Sequence, residues 1–334
     1  MGRQPRSTSC SVTTRPMSGT WSPSQPSFTT SCRRATVRRF RHRLQGGTMR
    51  MEQPCSQIWK SAGLTHIGLV RQSNQDAFAV LNECGLWIVA DGMGGRAGGE
   101  VASRLAVETI ASSCDSLGPY PQRHHPDHPS QENPSTALRE AIRVANQAIR
   151  VEAIAQPVLA GMGTTVVVLH LRAAPSSKPD SAPLAQATQA TIAHLGDSRA
   201  YLLRDRSLTR LTRDHSWVED QIRQGLLSPD EALTHPLRHM LTSALGTEAA
   251  ATPVLSTHLL QPGDRVLLCT DGLTKMLDDA QILDALLQAG HVPQTACQIL
   301  VERANQRGGE DNTTVVVVCC ETARDQKTRK PGQR

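Results

Sequence analysis

Five aspartates, each set among turn residues at the edge of an apolar run, constrain this chain more than any other feature: Asp76 in RQSNQDAF, Asp91 in IVADGMGG, Asp197 in AHLGDSRA, Asp271 in LLCTDGL and Asp311 in GGEDNTTVVVV. Any one of them alone reads as ordinary turn chemistry, because Asp-Gly and Gly-Asp pairs favour turns. Together they predict a site assembled from the ends of several strands, which needs a multi-stranded fold. Hard divalent cations such as Mg2+ and Mn2+ take oxygen ligands in roughly octahedral geometry. A short Asp side chain at a strand end holds its carboxylate close to rigid backbone. A glycine after it would let water and a carbonyl oxygen approach.

The order of these segments resembles the metal-dependent Ser/Thr protein phosphatases, the PPM or type 2C family. The likeness runs from about Trp59 to Cys320. Its segments are GLVRQSNQDA at 68–77, ADGMGGRAGGEVAS at 90–103, GMGTT at 161–165, HLGDSRAYLLRD at 194–205, LTRDHS at 211–216, THPLRHMLTSALG at 234–246, CTDGL at 269–273 and GGEDNTTVVVV at 308–318. Met93 and the HLGDSRAYLL wording are similar to the bacterial branch. The resemblance implies an α+β fold, an αββα four-layer sandwich with two central antiparallel sheets flanked by helices. Residues 56–321 would form that domain, with a flap at about 213–246.

Hydrophobic patterning agrees. Strands are expected at Trp59–Leu64, Asp76–Leu81, Leu86–Ala90, Thr164–Arg172, Ala187–His194, Ala200–Arg204, Val254–Leu259, Arg265–Cys269 and Thr313–Cys319. Helices are expected at Glu100–Cys114, Thr136–Ile154, Asp279–Gln288 and Pro293–Gln306. The Pro-rich PYPQRHHPDHPSQENP reads as a loop, and residues 173–186 as a loose hairpin tip.

The net charge of +6 is misleading about the core. Residues 1–48 hold nine Arg and no acid, so the remainder is −3, with no basic stripe for nucleic acid. That opening stretch is rich in Ser, Thr and Pro and lacks apolar periodicity, so residues 1–55 are expected to be a disordered tail, as are the basic residues 322–334. An Arg- and Ser-rich, acid-free leader also fits a transit peptide. A start assigned upstream of Met49 or Met51 is the preferred reading. No run approaches the ~18 apolar residues of a membrane helix. Nine Cys without a CxxC pair read as scattered core thiols in a reducing cytosol. A monomeric cytoplasmic protein is therefore expected, with no nucleic acid and no membrane.

Two cations sharing a bridging carboxylate sit about 3.5–4 Å apart and acidify a shared water, giving a hydroxide able to attack phosphorus in line. By the resemblance, Asp91 bridges both ions, the Gly92 carbonyl serves one, and Asp271 and Asp311 complete the first. Asp76 supports the second through water, and Asp197 with Asp271 holds a third, weaker ion. Arg71 matches the phosphate-binding arginine, whose planar fork grips two oxygens at once; a surface salt bridge is its plainer reading. Many eukaryotic relatives carry a His directly after the Asp-Gly pair as proton donor. Met93 cannot donate a proton. His194, His215, His235 and His239 are the available candidates, water is the expected donor, and His215, Arg238 and His239 are expected near the phosphopeptide.

Other patterns read as decoys. Cys297 and Arg303 have the spacing of a cysteine phosphatase, but the glycine-free QILVE between them is helical and offers no phosphate cradle. GMGGRAGG lacks the spacing of a dinucleotide fingerprint, and its glycines are assigned to the metal turn. His124, His125 and His128 read as a solvated loop. The expected function is Mg2+- or Mn2+-dependent hydrolysis of phosphoserine and phosphothreonine on proteins, opposing a bacterial Ser/Thr kinase. The alternative is a weak or inactive relative that binds phosphoproteins as a scaffold; it would be marked by loss of a metal Asp, and none is missing.

Overall fold

The computed structural model describes residues 59–117, 133–173 and 188–320. The expected tails, the Pro-rich loop with its three histidines and nearly all of the hairpin tip lie outside these residues.

Strand β1 (Trp59–His66) is followed by a hairpin of β2 (Asp76–Leu81) and β3 (Leu86–Met93). Helices α1 (Gly95–Ala111), α2 (Cys114–Leu117) and α3 (Pro134–Ala155) come next. The chain continues through β4 (Gly163–Thr164), β5 (Val166–Ala173), β6 (Thr188–Leu195), β7 (Arg199–Arg204) and β8 (Ser207–Arg210). Two short helices, α4 (Trp217–Arg223) and α5 (Pro229–Thr234), precede β9 (Val254–Leu260) and β10 (Arg265–Cys269). The last elements are α6 (Asp271–Thr274), α7 (Asp279–Ala289), α8 (Pro293–Gln306) and β11 (Thr313–Cys320).

One sheet runs β1-β11-β10-β7-β8 and the other β2-β3-β5-β6-β9, with β4 added beside β3. The paired strands are antiparallel throughout. Side-chain alternation along each strand then sorts the core into layers. In β3, Leu86, Ile88 and Ala90 meet Ala106, Ile110, Leu138 and Ile142 of α1 and α3. Trp87 and Val89 face the other way, against Val266, Leu268, Val316 and Val318 of the opposite sheet. Val315, Val317 and Cys319 of β11 turn outward onto Ile282, Leu286, Leu300 and Ala304 of α7 and α8. Helix, sheet, sheet, helix is the result. Because both faces of these strands are buried, LWIVA and VVVV read as continuous apolar runs with no polar alternation.

Helix ends follow local chemistry. Asn133 caps α3 by accepting from the Ser135 N–H, with Pro134 in the first turn, and α7 starts in a reciprocal Asp278–Gln281 capping box. Helix α1 begins at Gly95, five residues before the expected Glu100. Its glycines are therefore helix as well as turn: a Cβ at Gly99 would stand 2.7 Å from the Gly92 carbonyl, so α1 can start against the end of β3 only without one. Strand β8 and helices α4, α5 and α6 were not expected; at four to seven residues they are too short to show a period.

One expectation is overturned. Cys84, in the turn between β2 and β3, forms a disulfide with Cys114 at the start of α2, their Cα atoms 5.6 Å apart, inside the range a bridge requires. The cysteine pattern is thus no argument for a reducing compartment. Cys269, Cys297 and Cys319 are buried thiols, and Cys297 sits in the α8 core as read from its spacing. Among the described residues, no helix is long and apolar enough to cross a membrane.

Candidate metal centre and active site

The antiparallel register of β2 and β3 sets Asp76 directly opposite Asp91. Cross-strand partners point to the same face of a sheet, so both carboxylates leave the edge of one sheet together. Asp197 lies in the turn that carries the chain from β6 to β7, between the two sheets. Asp271 is the first residue after β10 and Thr270, and Asp311 stands two residues before β11. Both belong to the opposite sheet. All five aspartates are half-buried.

Asp91, Gly92, Asp197, Asp271 and Asp311 line one cavity of 780 Å³, together with Arg71. Asp76 sits behind this wall. Its Oδ2 accepts hydrogen bonds from the hydroxyls of Thr270 (2.9 Å) and Thr314 (2.7 Å), which belong to the other sheet. The Asp91 backbone is pinned just as firmly: its N–H donates to Thr165 Oγ1 at 3.1 Å, and its carbonyl accepts from Thr164 Oγ1 and from the Thr165 N–H. Gly92 has a packing requirement of its own. A Cβ would lie 2.0 Å from the Gly99 carbonyl oxygen and 2.5 Å from that of Gln75, so the glycine admits neighbouring backbone.

Lost hydration pushes the carboxyl of Asp91 well above the usual range, and the nearby charges of Asp76, Asp271, Asp197 and Asp311 raise it further. Asp76 and Asp197 are raised as well, each first by burial, with Asp271 adding repulsion. Two cationic side chains partly offset the crowding. Lys275 Nζ lies 2.5 Å from Asp271 Oδ2 and 3.0 Å from Asp311 Oδ2. Arg71 presents its fork to Asp311, Nε to Oδ1 and Nη2 to Oδ2, both at 2.9 Å. In this arrangement Arg71 makes the salt bridge of its plainer reading while still lining the cavity.

The residues fit a hard divalent ion. Every candidate donor is oxygen, and Oδ1 of Asp76 and Oδ1 of Asp271 are buried without a hydrogen-bond partner. Among the described residues, no three His, Cys, Asp or Glu side chains close to ion-binding distance; Lys275 instead joins Asp271 to Asp311, Arg71 holds Asp311, and the hydroxyls of Thr270 and Thr314 hold Asp76.

The four histidines separate clearly. His194 and His215 stack on each other, ring centroids 4.8 Å apart, with His194 Nε2 bonded to the Arg213 carbonyl. His235 stacks on Trp217. Only His239 of the four lines the cavity, as Met93 does. Burial, and after it the charges of Lys275 and Arg238, lower its pKa.

Sequence reasoning missed the groups that hold the aspartates. Lys275 was readable in principle as the i+4 partner of Asp271. Asn312 was not: its Oδ1 accepts the Gln75 N–H at 2.8 Å, while its amide donates to the carbonyls of Ile67 and Ser73, fixing the loop that carries Arg71.

Comparison with known proteins places this geometry. A family model described as protein phosphatase 2C matches residues 63–306. The serine/threonine protein phosphatase PstP of Mycobacterium tuberculosis is 37% identical over 260 residues, 78% of this chain and 45% of that protein. This chain thus spans about half the length of that relative. The serine/threonine phosphatase stp of Listeria welshimeri is 34% identical over 76% of this chain and 93% of its own. A crystal structure of the catalytic domain of PstP in complex with two manganese ions is 32% identical, covers 80% of this chain and all of that one, and superposes with a TM-score of 0.64. On the family match and these likenesses, the chain belongs to the protein phosphatase 2C family.

Proposed function

We propose that this protein hydrolyses phosphoserine and phosphothreonine on proteins, dependent on Mg2+ or Mn2+, and opposes a Ser/Thr kinase in the cytoplasm as part of a signalling pair. The observation that carries the reading is the convergence of Asp91, Asp197, Asp271 and Asp311 from both sheets on one cavity shared with Arg71.

In this reading Asp91 would be shared by two ions, the Gly92 carbonyl would serve one of them, Asp271 and Asp311 would complete the first, Asp76 would support the second through water, and Asp197 with Asp271 would hold a third, weaker ion. Bound ions supply Lewis acidity and an acidified water as nucleophile. Thr270 and Thr314 keep the carboxylate of Asp76 from turning away, and Thr164 and Thr165 fix the backbone from which the Asp91 carboxylate projects. Arg71 gives up Asp311 to grip the substrate phosphate with the same planar fork. Residues 213–246 act as the flap; His239, Leu241 and Thr242 from this stretch lie on the cavity wall, where a phosphopeptide would pass. The leaving oxygen takes its proton from water, since Met93 has none to give.

The test is hydrolysis of a phosphopeptide with Mn2+ and with EDTA. Turnover should require the metal and vanish in Asp91→Asn. Equal rates with metal and with chelator would reject the reading.

A further inference from the structure

Among the described residues that line the cavity, Lys275 is the cation that touches two of the assigned ion ligands. It caps the C-terminal end of α6, four residues after Asp271, so helical spacing alone returns its Nζ to that carboxylate at 2.5 Å. The loop entering β11 brings Asp311 to the same nitrogen at 3.0 Å. Its side chain is 29% exposed and faces the cavity, whereas Arg71, the other partner of Asp311, is 53% exposed. An ammonium has three donors and no acceptor. It can therefore neutralise two carboxylates, but it cannot share their oxygens with a second cation without repulsion.

We infer that Lys275 is a tethered counter-cation that competes with a divalent ion for Asp271 and Asp311, and so sets how tightly this protein holds its metal. The inference rests on the assignment of those two aspartates as ion ligands. Two effects have the same sign. An incoming ion must displace the ammonium or tolerate it at close range, which weakens binding. Removing the ammonium also takes from Asp271 its cationic partner and leaves Asp311 with Arg71 alone, which raises the free energy of the ion-free protein and favours the ion further. A lysine in a plain surface pair would change neither.

The experiment is a Mn2+ titration of the full chain by calorimetry, with free Mn2+ followed in parallel by electron paramagnetic resonance. Lys275→Met should bind Mn2+ about tenfold more tightly, the scale of one charge-assisted contact. Lys275→Arg, which keeps the charge, should stay close to the parent. Circular dichroism checks that each variant is folded, and Lys275→Gln serves if the methionine variant is not. Unchanged or weaker affinity in a folded Lys275→Met or Lys275→Gln protein overturns the inference. If Asp271→Asn binds Mn2+ as well as the parent, the ion assignment fails as well, and the inference falls with it.

Discussion

Arg71 has one guanidinium and two partners to choose from. It spends its fork on Asp311, 2.9 Å away on both arms, yet it lies on the cavity wall where a phosphate would sit. If recognition is its role, Arg71→Ala should raise KM for a phosphopeptide more than it lowers kcat, because ground-state binding is what is lost. Unchanged kinetics would return Arg71 to a surface salt bridge. His239 has the opposite problem. It alone among the four candidate histidines reaches the cavity, but burial, Lys275 and Arg238 lower its pKa from the ordinary 6.5, so it is mostly neutral at pH 7 and has little proton to offer. His239→Ala should therefore slow phosphopeptide turnover by less than the ~10²-fold typical of a general acid, and should slow an aryl phosphate by the same factor. A large loss confined to the phosphopeptide would identify His239 as the donor. The candidate ligands were legible because Asp in a turn beside an apolar run is a local pattern. The hydroxyls of Thr270 and Thr314 on Asp76 were not, since that contact joins residues about two hundred positions apart.

Strands doubly buried in a sandwich are easy to see in a sequence, and their ends were read to within a few residues. What hides is whatever depends on a second element. The disulfide needs the β2–β3 turn to meet α2, and the early start of α1 needs the close approach of Gly92 and Gly99. His170 shows the same limit in β5: its ring is 2% exposed, with Nδ1 buried and unpartnered. Burial, and after it Arg172, lowers its pKa to about 4. The unfolded chain therefore takes up this proton first as pH falls from 6.5, and the stability present above 6.5 is lost progressively until about pH 4. At pH 5 the loss is about 2 kcal/mol. His170→Leu removes this titration, so its melting temperature relative to the parent should be higher at pH 5 than at pH 7.5. An equal difference at both pH values would show that His170 does not titrate as a buried strand residue.

At the scale of the molecule, the aspartates belong to different sheets: Asp76 and Asp91 to one, Asp271 and Asp311 to the other, with Asp197 in the crossover. Packing of the two sheets buries these groups and brings like charges together, and burial first, with that repulsion after it, raises the carboxyls of Asp76, Asp91 and Asp197. A ligand that binds only the folded state stabilises it by mass action, about 2.7 kcal/mol at a hundred times its Kd. For a domain of this size each kcal/mol moves Tm by roughly 2–4 °C. Saturating Mn2+ should thus raise the melting temperature by several degrees over EDTA. Asp91→Asn separates repulsion from ligation, because it deletes one charge while keeping the shape of the side chain. In EDTA this variant should melt higher than the parent, since the other four carboxylates lose their most crowded neighbour. In Mn2+ the order should reverse, with most of the metal-dependent shift gone. A variant that melts lower in EDTA, or that keeps the full Mn2+ shift, would mean that Asp91 is not where the two sheets share a charge.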